Sequence, residues 1–369
     1  RCPPPQKGLM RVILDFPGGR QAFQAPLAII AADRAEDVPG ALAAVAAALA
    51  QGRHVAGWLG YELGYALEQK LAPLLPGGLR LLRLGVFEGP GEAPAPTGRA
   101  YAGPLAHDWD EGAYLSRFAA VKALIAAGDI YQANLSYRAR FAFAGDPLAL
   151  YERLRTAARA PWCGFIDDGE RQIASLSPEL FFELSASGVI AARPMKGTAA
   201  RHGDDLAEGA ALAASVKDRA ENLMIVDLIR NDLGRIARTG SVAVKALFDV
   251  ETYPTLHTMV STVTAKKRED AGLADLLRAL FPCGSVTGAP KIRAMEVLRD
   301  LEDAPRGARV FEWSYRLGPG VTVDTEVRLM PLTGTAGLMR ASITDITERK
   351  RALTIMAGER NVFERIAAD

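Results

Sequence analysis

The chain has 369 residues, of which 49% are hydrophobic, and its formal net charge is +1. This length and apolar content allow one or two domains with a large core, and the near-neutral charge argues against nucleic acid or a membrane surface as the main partner. Three widely spaced cysteines, Cys2, Cys163 and Cys283, fit no metal pattern, so we expect a reducing, cytoplasmic setting. The four histidines are scattered and predict no metal cluster.

The amino-terminal part predicts a sheet with one covering helix. Alternating or continuous apolar runs and an alanine-rich stretch give the elements in chain order: strand Met10 to Phe16, strand Ala25 to Ala31, helix Pro39 to Gln51 and strand His54 to Tyr61. A Pro/Gly/Ala-rich stretch from Glu88 to Pro104 predicts a linker. No run approaches the ~20 apolar residues of a membrane span, and Arg1 to Pro5 lacks the apolar core of a signal peptide.

The central part predicts helices inserted between runs of strands. Capping-box spacing from Asp108 to Glu111 starts a helix that stops at Gly128. The remaining predicted elements are strands within Ile130 to Phe143, a helix from Leu148 to Ala158, strands within Ile173 to Ala192, and helices from Lys217 to Asp232 and from Ile292 to Leu301. Strands and helices do not alternate in βαβ fashion, so we predict an α+β fold with large antiparallel sheets.

One lysine stands in a segment whose backbone is shaped by its neighbours. Lys196 follows the apolar run Val189 to Ala192, and Pro194 restricts φ while Gly197 frees it. We expect Lys196 on a turn after a strand, where its amine can project into a cleft and act without its hydration shell. The simpler alternative is a solvated lysine in a polar turn.

Two glutamates are candidates for work in the same cleft. Glu179 precedes Leu180-Phe181-Phe182 at the edge of a predicted buried strand, where a carboxylic acid can serve as general acid. Glu221 lies on the predicted helix Lys217 to Asp232, in line with apolar Ile225 and Leu228, and there it needs an arginine or a hard divalent metal. The alternatives are an ordinary Ser-Pro-Glu turn and a first-turn glutamate favoured by the helix dipole.

A loop of small residues opens the last predicted helix. Phe281 to Lys291 exposes backbone N–H groups at a helix start, and Lys291 adds positive charge, so the loop is suited to an anion. It lacks the Gly-x4-Gly-Lys-Ser/Thr spacing and does not predict a nucleotide-phosphate site.

Taken in order, these segments resemble the chorismate-utilising enzymes. The matching motifs span the chain to about residue 306 and are Gly128 to Leu135, Ser175 to Glu179, Pro194 to Thr198, Asp218 to Asp232, Thr255 to Ser261 and Gly284 to Lys291. The resemblance implies the family fold, a β-sandwich of large antiparallel sheets flanked by helices.

Two positions distinguish branches within the family. Lys196 is typical of the aminodeoxychorismate synthase branch, whereas the anthranilate branch usually carries alanine there. The isochorismate and salicylate branch carries a water-activating lysine near the position of Gln132, and glutamine cannot act as that base. The resemblance therefore implies conversion of chorismate and ammonia to 4-amino-4-deoxychorismate, for para-aminobenzoate and folate synthesis. Anthranilate synthesis is the alternative within the family.

The resemblance also implies roles for individual residues. Lys196 would be the nucleophile that attacks the chorismate ring, and Glu179 the acid that helps the ring hydroxyl to leave. Glu221 would ligate the Mg²⁺ that holds a substrate carboxylate. The substrate site would be lined by His257, Thr287, Gly288 and Lys291. Ammonia would come from a separate glutamine amidotransferase subunit.

The carboxy-terminal segment departs from this pattern. The family continues with an Ile-Arg-Thr segment, a triple-glycine loop and an acidic metal ligand, and none of these follows Gly307. Three alternating runs and the segment Asp345 to Lys350 instead resemble the end of a PAS sensor domain, with a signalling helix from Ala352 to Ala368. We expect an incomplete active site if those contacts are truly missing.

These observations predict three regions. They are an amino-terminal region, residues 1–104, a chorismate-binding catalytic region, residues 105–306, and a divergent tail, residues 307–369. The chain would then be a chimera, by natural fusion or by a join in sequence assembly. Two alternatives stay open: a diverged synthase tail that still completes the family sheet, and a non-catalytic, sensor-linked chain that dimerises through its terminal helix.

Overall fold

A computed structural model describes residues 10–253, 256–302, 311–313 and 325–326. Cys2, Thr255 and most of the divergent tail lie outside the described residues. The helices are α1 Val38–Ala50, α2 Leu63–Leu67, α3 Glu111–Ala126, α4 Pro147–Ala158, α5 Asp205–Ala214, α6 Val216–Gly234, α7 Leu273–Leu280 and α8 Lys291–Leu301. Short 3-10 turns occupy Ala35–Asp37, Ala72–Leu74 and Gly284–Val286.

The strands are mostly short and number twenty within the described part of the chain. The first ten are β1 Arg11–Phe16, β2 Gly19–Phe23, β3 Ala28–Ala32, β4 His54–Leu59, β5 Leu82–Phe87, β6 Ala100–Ala102, β7 Ala106–His107, β8 Gln132–Ala133, β9 Ala139–Arg140 and β10 Phe143–Gly145. The others are β11 Trp162–Asp167, β12 Gln172–Ser177, β13 Leu180–Leu184, β14 Val189–Arg193, β15 Met195–Ala200, β16 Ala243–Thr252, β17 Leu256–Lys266, β18 Gly288–Ala289, β19 Phe311–Trp313 and β20 Thr325–Glu326.

Two larger sheets organise these strands. One has the order β2-β1-β11-β12-β19-β20, and the other has the order β13-β14-β17-β15 with β16 also paired to β17. A three-stranded sheet, β3-β5-β4, and the three two-stranded pairs β10-β6, β18-β8 and β7-β9 complete the set. The described pairings between named strands are antiparallel, so the α+β prediction is confirmed.

Helix α6 packs on the sheet that carries Lys196. Its Ile225, Val226, Ile229 and Leu233 are buried against β14, β17 and α7, and full burial of each such side chain stabilises by about 1.5–3 kcal/mol. The predicted apolar stripe began at Leu223, but that residue is exposed. The buried face starts at Asn222 instead, one position earlier in the helical turn.

Helix boundaries agree closely with the sequence patterns where a cap is present. Helix α3 begins at Glu111, but its N-cap is Asp110 rather than Asp108, and the Asp110 carboxylate accepts a bond from Ala113 N. The stretch from Glu88 to Pro104 contains strand β6, so it is not wholly a linker. Within the described residues, no helix is both long and apolar enough to cross a bilayer.

Candidate active site

Lys196 lies in a strand, and the prediction of a turn was wrong. Pro194 has no N–H to give to the ladder, so it separates β14 from β15, yet both strands pair with the same neighbour, β17. The Lys196 side chain is 8% exposed, which also excludes a solvated lysine. Gly197 has φ +90°, the left-handed freedom expected of it, within a bulge between Met195 and Thr198.

Asn222 fastens α6 to the strand of Lys196. Its side chain is fully buried, and its amide donates to the carbonyls of Lys196 (3.4 Å) and Met259 (3.2 Å). Its oxygen accepts a 2.6 Å bond from the Ser261 hydroxyl. Buried polar groups that are bonded on all sides hold one arrangement of the backbone, so Asn222 fixes the distance between α6 and β15.

A cavity of about 280 Å³ opens between α3, α6 and β8. It is lined by Phe118, Val121, Lys122, Ile125, Tyr131, Gln132, Ala133, Leu135, Ala220, Glu221 and Met224. Gln132 is buried, and neither its amide nitrogen nor its oxygen has a hydrogen-bond partner among the described residues. A buried amide of this kind is costly unless a ligand or water bonds it, so the cavity suits a polar molecule.

Glu221 contributes a carboxylate to the same cavity. Its side chain is 20% exposed, and Lys217 Nζ lies 3.8 Å from its Oε1. The cavity thus combines the carboxyl group of Glu221 with the amide of Gln132.

Glu179 is held by the loop of small residues. The Ser285 hydroxyl donates to Glu179 Oε2 at 2.9 Å, and Ser285 itself is buried. Cys283 Sγ lies 3.0 Å from the same hydroxyl, and burial raises the pKa of this thiol to about 11, so it is neutral. The loop forms a 3-10 turn at Gly284–Val286. Directly after this turn, the Thr287 hydroxyl donates to the Cys283 carbonyl.

Gly288 brings that loop against β8. It has φ +141° and pairs with Ala133, and a Cβ at this position would collide with the Gln132 carbonyl. The close approach therefore requires glycine. Through this contact the loop lies against the strand that forms part of the cavity wall. Neither the loop residues nor Lys196 and Glu179 are among the residues that line the cavity itself.

Lys291 is already paired within the protein. Its Nζ lies 2.6 Å from Asp232 Oδ2 and also donates to the carbonyls of Ala279 and Leu280. Both side chains of the pair are about nine-tenths buried. The positive charge expected at the loop is thus largely matched by Asp232.

His257 does not line the cavity. It lies on β17 opposite Ala199, and its neighbours are on α5: Asp205 and Glu208 each place an oxygen 3.5 Å from its Nε2. Side chains alternate between the faces of a strand, and position 257 faces α5. The sequence predicted no metal cluster among the histidines, whereas the structure places His257 beside two carboxylates from which the sequence separates it by more than forty positions.

Three important residues escaped the sequence analysis: Asn222, Ser285 and Asp232. Asn222 carried a usable signal, because it falls on the stripe formed by Ile225, Val226 and Ile229, where a polar residue must find partners. Ser285 and Asp232 carried none, because their partners Glu179 and Lys291 are distant in sequence.

The fold is one found in enzymes that act on chorismate. The chain superposes on anthranilate synthase component I from Streptococcus pneumoniae TIGR4 with a TM-score of 0.61 and 24% identity, covering 75% of this chain and 71% of the other. It superposes on the menaquinone-specific isochorismate synthase of Escherichia coli with a TM-score of 0.63 and 16% identity, covering 98% and 89%. At these identities the likeness concerns the fold.

The family follows from sequence comparison. The model of the chorismate binding enzyme family matches residues 90–308, so the chain belongs to that family. It is also 46% identical over 232 residues to the aminodeoxychorismate synthase component 1 of Salmonella typhimurium, which covers 62% of this chain and 51% of the relative. The chain thus spans about half the length of the curated relative that it matches.

Proposed function

We propose that this chain is the chorismate-aminating component of an aminodeoxychorismate synthase. The observation that carries the proposal is Lys196, a buried amine held on β15 in the segment where that branch of the family has its lysine. The name and identity of the Salmonella relative support the same branch. Gln132 in the cavity wall disfavours water as the nucleophile, since an amide is not a base.

The proposed reaction divides the substitution into two steps. Lys196 Nζ, once deprotonated, forms a bond to the chorismate ring, and the ring hydroxyl leaves as water with a proton supplied by Glu179. Ammonia then forms a bond to the ring, and the bond to Lys196 breaks to regenerate the amine. Ser285 supports this role of Glu179, because its hydroxyl donates to Glu179 Oε2 and fixes the position of the carboxyl group.

The residues of the cavity fit Mg²⁺. A hard cation of this kind takes oxygen ligands and keeps several waters, and the cavity offers the Glu221 carboxylate and the unpartnered oxygen of Gln132. When bound, the ion would supply positive charge for a substrate carboxylate. Thr287, Gly288 and Lys291 would line the remainder of the site, while we leave His257 out of it because its contacts are with α5.

The ammonia source is part of the proposal. The relative is named as component 1, which fits a second component, and we propose that this partner is a glutamine amidotransferase. A cytoplasmic setting, with a role in para-aminobenzoate and folate synthesis, belongs to the same proposal. Ammonium salts should replace the partner in a purified system.

The test is turnover of chorismate by the purified chain with Mg²⁺ and an ammonium salt, followed by chromatography. We expect aminodeoxychorismate, and we expect product formation to stop when EDTA removes the metal. In the absence of ammonia, a mass spectrum of the protein should show a chorismate adduct. Lys196→Ala should lose that adduct, while Lys70→Ala, which removes an exposed lysine, should keep it.

Two results would overturn the assignment. An adduct that survives in Lys196→Ala would exclude this residue as the nucleophile. Anthranilate as the product, detected by its fluorescence, would place the chain in the other branch of the family.

A further inference from the structure

A second cluster of potential metal ligands lies away from the cavity, beneath helix α5. Asp205 and Glu208 occupy the first turn of α5, three residues apart and therefore on one face. His257 reaches the same point from β17. One ligand atom from each of the three side chains lies within 4.8 Å of the other two.

His257 presents an unpaired nitrogen to the two acids. The residue is fully buried, and its Nε2 makes no hydrogen bond of acceptable geometry with any described residue. Its Nδ1 lies 2.9 Å from the Thr252 hydroxyl oxygen. When Nδ1–H donates to that oxygen, Nε2 carries a lone pair aimed at the carboxylates, the arrangement by which ligating histidines are oriented in metal sites.

Hydrogen bonds from neighbouring groups orient the two carboxylates. Arg201 donates to both carboxylate oxygens of Asp205, from Nε to Oδ1 at 2.7 Å and from Nη2 to Oδ2. The Glu208 carboxylate accepts from the backbone N–H of His202 at 2.9 and 3.1 Å. Each carboxylate oxygen has two lone pairs, so these bonds orient the acids and leave acceptor positions open.

The distances and ligand types select the class of ion. Nε2 lies 3.5 Å from Asp205 Oδ1 and 3.5 Å from Glu208 Oε2, near the edge of about 3.4 Å in a tetrahedron with bonds of about 2.1 Å, the length found for zinc with nitrogen and oxygen ligands. Imidazole favours a transition ion over Mg²⁺ or Ca²⁺, which take oxygen ligands.

We propose that Asp205, Glu208 and His257 form a Zn²⁺ site that clamps helix α5 onto strand β17. The partly exposed Asp205 leaves a coordination position for solvent. The site does not depend on the proposed amination, and it is distinct from the carboxylate of Glu221 in the cavity. We expect the ion to fix the position of α5 and, through it, the position of α6, because α5 leads directly into α6, which carries Glu221.

Calorimetric titration of the metal-free full chain with Zn²⁺ tests this assignment. We expect one site that persists in Glu221→Gln, which removes the cavity carboxylate. We expect binding to be lost in His257→Gln and weakened at least tenfold in Glu208→Gln, a partly exposed and isosteric change that should leave the fold intact. His54→Gln, at an exposed histidine, should bind as the unchanged chain does.

Two further readouts separate a metal site from a simple ion pair. Bound Co²⁺ should give visible ligand-field absorption that disappears in Glu208→Gln and His257→Gln, and Zn²⁺ should raise the Tm of the chain but not of these variants. The proposal is overturned if the chain binds no Zn²⁺, or if stoichiometry and affinity are unchanged in Glu208→Gln. It is also overturned if binding is lost in Glu221→Gln alone, because the ion would then occupy the cavity.

Discussion

Gly197 shows how one residue governs the placement of the candidate nucleophile. It follows Lys196 with φ +90°, and the side chain of Asp218 on helix α6 packs closely against it. The sequence indicated the conformational freedom, because a glycine after Pro194 and Lys196 shapes the backbone. It could not indicate Asp218, since that contact exists only once α6 has packed on the sheet.

Replacing Gly197 with alanine should destabilise the chain and displace Lys196. The new Cβ would lie 2.8 Å from Asp218 Cβ, and a left-handed conformation costs a non-glycine residue about 1–3 kcal/mol. Urea denaturation should show a loss in the free energy of unfolding of that size. Gly234→Ala is the matched control, because a Cβ there meets nothing within 4 Å; we expect it to be neutral or to stabilise the chain by up to about 1 kcal/mol.

Helix α6 is the element on which the candidate site depends. It carries Glu221 into the cavity, Asn222 into the sheet and Asp232 to Lys291. Its apolar periodicity predicted the helix and its boundaries within two residues, because burial repeats with the helical turn. The polar contacts were not predictable, since each depends on a strand or loop from elsewhere in the chain.

A double-mutant cycle should measure how firmly Asn222 ties α6 to β17. Asn222→Ala leaves the Ser261 hydroxyl and two buried carbonyls without this partner, and an unsatisfied buried group costs about 1–3 kcal/mol. Ser261→Ala removes the other side of the 2.6 Å bond. Denaturation of both single variants and the double variant should give a coupling energy of about 0.5–3 kcal/mol; a coupling energy near zero would contradict this role.

Helix α4 is joined to the other large sheet through Asp15. The carboxylate on β1 accepts bonds from Arg20 Nε (2.7 Å) and from the hydroxyl of Tyr151 on α4 (2.5 Å). Burial acts to raise the pKa of Asp15, but the bonds from Arg20 and Tyr151 outweigh it and leave the pKa below 3.8. Deprotonated Asp15 therefore stabilises the folded state.

The stability of the chain should depend on pH through this carboxylate. Because the folded pKa lies below the unfolded value, the contribution is complete above about pH 4 and is lost as the pH falls through the folded pKa. The free energy of unfolding should drop less between pH 7 and pH 3 in Asp15→Asn than in the unchanged chain. Tyr151→Phe, which keeps the carboxylate but removes one donor, should fall between them. An unchanged pH dependence in Asp15→Asn would contradict the assignment.

At the scale of the whole molecule, the segment after residue 306 is the part of the chain that departs from the family pattern. The described backbone places β19 beside β12 in the six-stranded sheet, with Glu312 opposite Ile173, and β20 beside β19. The family match ends at residue 308. We keep the proposal of three regions with the boundaries 1–104, 105–306 and 307–369, the last resembling the end of a PAS domain.

Truncation after Ile346 tests whether the tail has a signalling role. If residues 347–369 hold two copies together as a sensor-linked helix would, light scattering should show dimers in the full chain and monomers in the truncated one. An unchanged oligomeric state would count against this.

If the full chain forms no product from chorismate, a family-type tail grafted after Gly307 should restore turnover, since it supplies the arginine and acidic residue expected there.

The amino-acid sequence alone was enough to predict the fold class and the family and to propose the principal candidate residues. Helical and strand periodicities are local properties, and the motifs around Lys196, Glu221 and Lys291 are contiguous, so both can be recognised without coordinates. The contacts between these residues could be seen only in the tertiary structure. Lys291 pairs with Asp232, and His257 faces the acids of α5, because strand alternation and helix packing bring together positions that are far apart along the chain.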